Sequence, residues 1–254
     1  LDLFGGEPLM NTEVVKHVIN YVRRREFETG KNIKLTLTTN GTLLNDDIIQ
    51  FLNDNRVMLV LSLDGKKETH DNMRPFSNKT GSYDAAVRGF KKVIESRNGK
   101  NYYLRGTYTH FNPHFAEDTL DMTKIGKELS VEPVVGIDEP YVLTEADLPV
   151  LYEEYDKLAR AYLQKRRFNV ALDNGPCVAK RLAGCGAGHE YFAITPEGDI
   201  YPCHQFVGRE EYKLGTLETG VVKPDLVQKF RHTHVMTKTE CSTCWARFFC
   251  SGGC

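Results

Sequence analysis

No cysteine occurs in the first 176 residues of this 254-residue chain, yet Cys177, Cys185, Cys203, Cys241, Cys244, Cys250 and Cys254 crowd into the remainder. A disulfide framework is a poor reading of that pattern. Disulfides predominate in short domains without a large core, and an odd count leaves one thiol over. Nor is there any apolar run near the roughly 18 residues that a membrane helix needs. Charge of either sign is not in excess: the formal net charge is -1, which gives no bulk reason to expect nucleic acid or an anionic membrane. The local basic run Lys165-Arg166-Arg167 reads as a solvated linker face. What is present is a hydrophobic content of 41%, enough for one large domain and a small one. The chain opens at Leu1 inside a motif and closes on Cys254, as a fragment would.

Leu1 to Phe4 is a short apolar run ended by Gly5-Gly6. A helix follows, capped by Asn11, with Val14, Val15, Val18, Ile19 and Val22 as its apolar stripe and Gly30 as its stop. The unit recurs. Ile33 to Thr39 predicts a strand, Asn45 caps a helix carrying Ile48, Ile49 and Leu52, and Met58 to Leu63 reads as a buried parallel strand. Ser82 is expected to cap the next helix, with strands over 102–109 and 131–135 separated by a helix around 120–129. Thr144 and Asp147 resemble a capping box ahead of a long helix whose expected apolar face is Leu148, Leu151, Tyr152, Tyr155, Leu158, Tyr162 and Leu163. Alternating strands and helices imply an α/β fold with a parallel sheet, open or curved into a barrel. Beyond 167 the texture turns to glycine, cysteine and short strands. That divides the chain into 1–167 and 168–254.

In such a sheet ligands sit at the C-terminal ends of the strands. Here those ends read Gly5-Gly6-Glu7-Pro8, Thr38-Thr39-Asn40-Gly41 and Ser62-Leu63-Asp64-Gly65, and His70, Asp71 and Arg74 follow. In that order they resemble the radical S-adenosylmethionine (SAM) superfamily, whose second strand ends in GGEP and whose fourth carries Ser-x-Asp-Gly and then His-Asp-x-x-Arg. The resemblance implies a partial (β/α)6 radical SAM barrel over 1–167. It also implies roles: the backbone of Gly5, Gly6 and Glu7, in the loop closed by Pro8, bonds the amino group of SAM; Ser62 and Arg74 hold its carboxylate; Asp64 and Asn40 lie near the ribose. His70 and Asp71 read equally as a helix-start pair. The superfamily's C-x3-C-x2-C, which binds the SAM-reducing cluster, has no counterpart in this chain, and truncation before the second strand is the expected reason.

Thiolates at C-x2-C (241/244) and C-x3-C (250/254) suit zinc or an iron-sulfur cluster, and spacing alone leaves the two open. The patterns C-x12-G-x4-C from Cys185 to Cys203 and C-x2-C-x5-C-x3-C from Cys241 resemble the SPASM extension of radical SAM peptide-modifying enzymes, which binds two auxiliary 4Fe-4S clusters. By that resemblance Cys241, Cys244 and Cys250 serve one cluster, and Cys185, Cys203 and Cys254 the other. Cys177 either completes the latter or leaves an iron open for a substrate thiol.

Sulfatase-maturating relatives of this group carry an aspartate after the cysteine that stands here as Cys203, and this chain has His204. Cys185-Gly-Ala-Gly-His-Glu-Tyr, Cys203-His-Gln-Phe-Val-Gly and Cys244 to Cys254 resemble instead the maturases of six-cysteine (SCIFF) peptides. That resemblance implies thioether links from cysteine sulfur to carbon in a cysteine-rich precursor peptide, made through a 5'-deoxyadenosyl radical, with an electron donor such as flavodoxin or ferredoxin in the cytoplasm. His204 is then either a base for the thiol or a hydrogen-bond partner. A formylglycine-forming enzyme, a zinc-stabilised peptide-binding module and a pseudoenzyme scaffold are the competing expectations.

Overall fold

The computed structural model describes residues 1–136, 139–165, 169–172, 184–245, 247–250 and 252, with the side chains of 164–165, 169–172 and 249–250 outside that description. The chain divides into two compact units, Leu1–Asp173 and Asn174–Cys254. The break falls a few residues beyond the one drawn from composition, because residues 169–172 form a strand that pairs with the first unit's sheet.

The first unit alternates strands and helices: β1 (Asp2–Leu3), α1 (Thr12–Thr29), β2 (Thr36–Thr39), α2 (Asp46–Asp54), β3 (Met58–Ser62), α3 (Lys67–Met73), α4 (Tyr83–Ser96), β4 (Tyr102–Tyr108), α5 (Phe115–Met122), β5 (Glu128–Pro133), α6 (Leu148–Lys165) and β6 (Asn169–Leu172). The six strands are all parallel and lie in the order β1-β2-β3-β4-β5-β6. When strand order equals chain order, each right-handed crossover steps the same way and every helix lands on the same face. That is the wall of a (β/α) barrel.

The core confirms the one-sided arrangement. Leu37, Leu59, Leu61, Leu104 and Leu129 share one sheet face and pack with Ile19 of α1, Leu52 of α2, Phe90 of α4 and Met122 of α5. Tyr108 and Val131 continue that face under Phe115, Leu151 and Leu158. The alternate residues of the same strands, Thr38, Val60, Ser62, Tyr103, Arg105, Thr107, Ser130 and Glu132, point to the opposite face, which is polar but for Val60. Arg105 there pairs with Glu132, to which Ser130 Oγ also donates at 3.1 Å.

Several local expectations hold. Asn11 and Asn45 accept the N–H groups of Val14 and Ile48 at 3.4 and 2.9 Å, and Gly30 ends α1 in the left-handed conformation at φ 67°. Thr144 and Asp147 form the capping box, although its turn is 3-10 and α6 begins at Leu148. Others are corrected. The helix expected near 120–129 lies earlier, at 115–122, since 128–133 is drawn into the sheet as β5. On α6 only Leu151 and Leu158 of the expected face are buried, while Tyr152 and Leu163 are 69% and 67% exposed. Ser82 does not cap α4: Asp71 Oδ1 accepts the Tyr83 N–H at 2.8 Å in its place.

The second unit holds β7 (Ala193–Ile194), β8 (Asp199–Tyr201), β9 (Gly215–Thr216) and β10 (Gly220–Val221), an antiparallel meander, followed by α7 (Pro224–His232) and α8 (Arg247–Cys250). Phe206, Tyr212 and Phe230 cluster with ring centroids 4.5 to 6.3 Å apart, and Leu214 and Val235 are fully buried. No described helix is long and apolar enough to cross a membrane.

Leu104 sits at the middle of the sheet with no exposure. Leu104→Ala is expected to lower unfolding stability by about 2–5 kcal/mol, read as a lower urea midpoint at unchanged slope.

Candidate functional site

β1, β2 and β3 are neighbours, so the loops after them stand side by side at one end of the sheet. Glu7 ties the first two together. Its Oε1 accepts from Thr39 Oγ1 at 2.8 Å and from Leu9 N at 3.0 Å, and its Oε2 accepts from Asn40 N at 2.7 Å. Pro8 opens the 3-10 turn that follows, where a missing N–H costs nothing. Asn40 turns its Oδ1 back onto the Thr42 N–H and hydroxyl, at 3.0 and 2.8 Å, so it shapes its own loop.

The glycines of these loops fall into two kinds. Gly41 has φ 77° and a Cβ there would meet Phe90 at 2.2 Å; Gly65 has φ 103° and would meet Asp118 at 2.3 Å. Packing and backbone conformation demand glycine at both. Gly5 and Gly6 are exposed and not left-handed, and a Cβ at either would meet nothing within 4 Å. Nothing inside the protein calls for glycine at those two positions, whereas a ligand lying against the backbone would.

At the third strand end Ser62 is buried in register beside Arg105, and Asp64 is 5% exposed. The Asp64 carboxylate accepts from Arg74 Nε at 2.6 Å and Nη2 at 3.1 Å, and from Thr107 N at 2.9 Å. A buried carboxylate bound on both oxygens by one guanidinium fixes the plane of that guanidinium. Asp64 therefore orients Arg74, and the 35% of the Arg74 side chain that remains exposed is the part available to an anion.

Three further residues gain roles here that sequence does not assign. Asp118 of α5 accepts from Lys66 N at 3.0 Å and Thr69 Oγ1 at 2.9 Å, stapling the start of α3, while burial pushes its carboxyl up. Ser82 and His70 meet behind Arg74, with His70 1% exposed. Burial pushes the His70 imidazole down to about 4. No local signal marks Asp118 or the role of Ser82, since both act on residues distant along the chain or across a loop.

In the second unit Cys203 is buried just after β8, and its Sγ accepts the Gln205 N–H at 3.4 Å, the kind of hydrogen bond that tunes a cluster's sulfur ligands. His204 places Nδ1 3.3 Å from Tyr191 Oη and Nε2 3.3 Å from the Gln205 amide. Cys185, Cys203, Cys241 and Cys244 are thiols rather than disulfides, a soft donor set suited to iron-sulfur or zinc. Among the described residues no three of His, Cys, Asp and Glu converge on a metal position. The expected ligands Cys177 and Cys254 lie outside the described residues, as does the side chain of Cys250 in α8.

A parallel barrel wall with glycine-bearing strand-end loops, and a separate unit carrying free thiols, are the two parts that the comparisons with known proteins address. Residues 1–122 match the model of the radical SAM superfamily, and residues 185–245 match SPASM, the iron-sulfur cluster-binding domain. The chain thus carries a radical SAM domain over 1–122 and a SPASM domain over 185–245, and the two domains imply SAM and 4Fe-4S clusters as its cofactors. It is similar to a cysteine-type anaerobic sulfatase-maturating enzyme of Clostridium novyi (strain NT), 26% identical over 98% of this chain and 71% of that protein. Among solved structures it resembles native anSMEcpe with bound AdoMet and Kp18Cys peptide, at a TM-score of 0.81 and 20% identity over 100% of this chain and 75% of that one. Streptococcus suis SuiB bound to precursor peptide SuiA gives 0.70 and 19% over 100% and 60%.

Gly41→Ala should lower stability by about 2–4 kcal/mol through strain and overlap with Phe90. Gly6→Ala should leave the thermal midpoint in place and weaken SAM binding, measured by calorimetry. His70 gives a pH prediction. Its folded pKa lies below its unfolded one, so the unfolded state binds more protons between pH 6.5 and about 4, and stability is lost as pH falls through that window. The loss is about 3 kcal/mol, and unfolding curves of His70→Gln should lack that component.

Proposed function

We propose that this chain forms the catalytic body of a maturase that makes cysteine thioether cross-links in a ribosomally synthesised, cysteine-rich peptide in the cytoplasm, drawing electrons from a donor such as flavodoxin or ferredoxin. The observation that carries the finer reading is His204, which stands after Cys203 where sulfatase-maturating enzymes have an aspartate. Its ring lies between the Tyr191 hydroxyl and the Gln205 amide, 3.3 Å from each.

SAM held at the strand-end loops would, on one-electron reduction, supply a 5'-deoxyadenosyl radical able to take a hydrogen atom from the acceptor carbon of the peptide. The residues of this chain prepare for it. Gly5, Gly6 and Glu7 offer backbone groups to the amino end, Ser62 and the exposed edge of Arg74 take the carboxylate, and Asp64 and Asn40 shape the ribose side. His204 would receive the proton of the substrate thiol, so that sulfur meets the carbon centre as thiolate, and the one electron left over when the carbon–sulfur bond forms would pass to the auxiliary cluster beside it. Cys241, Cys244 and Cys250 would hold one auxiliary cluster, and Cys185, Cys203 and Cys254 the other, which Cys177 would complete unless an iron is left open for the substrate thiol.

A formylglycine-forming activity is the second reading, favoured by the 26% identity to the Clostridium novyi enzyme. The two differ in product. The intact protein, reconstituted anaerobically, is to be given SAM, a reductant and a cysteine-containing precursor peptide. Thioether formation removes two hydrogens, keeps the sulfur and makes the cysteine refractory to alkylation. Loss of sulfur from the peptide would establish the second reading in its place. Iron and sulfide in equal amounts are expected on reconstitution, and tightly held zinc without iron would overturn both.

A further inference from the structure

Arg74 is fixed from two sides, and only one of them is the Asp64 carboxylate. His70 and Asp71 of α3 each reach across to the far end of the exposed loop that follows. Asp71 accepts the Tyr83 N–H at 2.8 Å. His70 Nε2 lies 3.1 Å from Ser82 Oγ, and Ser82 Oγ donates to the Arg74 carbonyl at 2.6 Å. The direction of each bond follows from its neighbours. The Asp64 N–H donates to His70 Nδ1 at 3.3 Å, so the ring proton sits on Nε2 and is given to Ser82, which passes its own proton to Arg74 O. The low pKa of the buried ring, about 4, keeps this neutral tautomer in place near neutrality.

The chain of bonds closes on itself: Asp64 backbone, His70, Ser82, Arg74 backbone, Arg74 guanidinium, Asp64 carboxylate. Its members His70, Ser82 and Asp64 are all buried, while the loop between Pro75 and Gly81 is exposed throughout. This also explains why Ser82, at an N-cap position, gives no cap. Its hydroxyl is used to hold Arg74, and Asp71 performs the capping.

We infer that His70 and Ser82 are positioning residues for SAM, forming a clasp that holds the backbone of Arg74 while Asp64 holds its guanidinium, so that the exposed edge of Arg74 meets the methionyl carboxylate ready-made. The inference rests on Arg74 as the carboxylate contact. A preset guanidinium avoids the ordering cost that a long free side chain carries on binding. Loss of the clasp should therefore be felt by ligands that have the carboxylate and not by those that lack it.

The test is Ser82→Ala, which deletes one oxygen and leaves volume almost unchanged, alongside His70→Gln and Arg74→Ala, all in the intact, anaerobically reconstituted protein. Dissociation constants are measured by calorimetry for two probes: SAM, and 5'-methylthioadenosine, which keeps the nucleoside and thioether but has no methionyl carboxylate. Ser82→Ala and Arg74→Ala are both expected to weaken SAM, the former on the order of tenfold, about one hydrogen bond's worth. Methylthioadenosine should bind Ser82→Ala and His70→Gln as it binds the parent; Arg74→Ala, which also unpairs Asp64 on the ribose side, is read through its loss of SAM binding. His70→Gln, which retains an N–H near the Nε2 position, should weaken SAM less than Ser82→Ala. If Ser82→Ala binds SAM normally while Arg74→Ala does not, the clasp is overturned and the carboxylate contact stands. Normal SAM binding by Arg74→Ala would overturn both. Equal weakening of the two probes by Ser82→Ala would mark general loosening of the site and also overturn the clasp.

Discussion

A carboxylate at the end of a parallel strand, closed off from water, is the constraint around which the first unit is arranged. Asp64 is 5% exposed and would be costly as an unpaired charge. Its two oxygens take two bonds from Arg74 and one from the Thr107 amide, so it draws the end of α3 and the far end of β4 to the same point. Gly65 follows because Asp118 of α5 occupies the space a side chain would need. Removing either partner leaves the other charge partly buried, so the pair is best regarded as one unit that fixes three elements.

Glu7 does the corresponding work at the outer strands. It joins the loops after β1 and β2 through Thr39 and Asn40, and the two glycines that precede it have no protein neighbour where a side chain would stand. Stiff supports under a bare backbone are what a small zwitterion needs: the donors are fixed before it arrives, and no side chain has to be moved aside.

The parallel sheet, the strand-end loops and the caps at Asn11, Asn45 and Gly30 were legible in sequence because each depends on residues adjacent to one another. An unbroken apolar run marked β3 as buried, which holds from Leu59 to Ser62, and the 3.6-residue pattern placed Val15, Ile19 and Val22 of α1 inward, although Val14 of the expected stripe is 53% exposed. They failed on α6, where an apolar face is partly exposed, because periodicity does not say whether a neighbour is present to cover it. The helix after β4 was placed late for a related reason: 115–129 contains apolar residues suited to either element, and only pairing with β4 makes 128–133 a strand. The site was legible as a set of motifs and illegible as a set of roles. Ser82 looked like a cap and is a tether, while Asp118, which nothing in the sequence singles out, is a staple. Each choice was decided by a partner that local spacing cannot reveal.

The sheet has an oily side and a wet side. Helices α1, α2, α4, α5 and α6 take up the first; the second presents Thr38, Ser62, Arg105, Ser130 and Glu132 around a buried Val60, with the Arg105 Nε buried and without a hydrogen-bond partner among the described residues. Such a surface cannot be sealed by another greasy layer without stranding its polar atoms. It must stay hydrated or be covered by something equally polar, which makes the inner wall of this barrel a place of exchange between solvent and guest, where every arrival is also a departure of water.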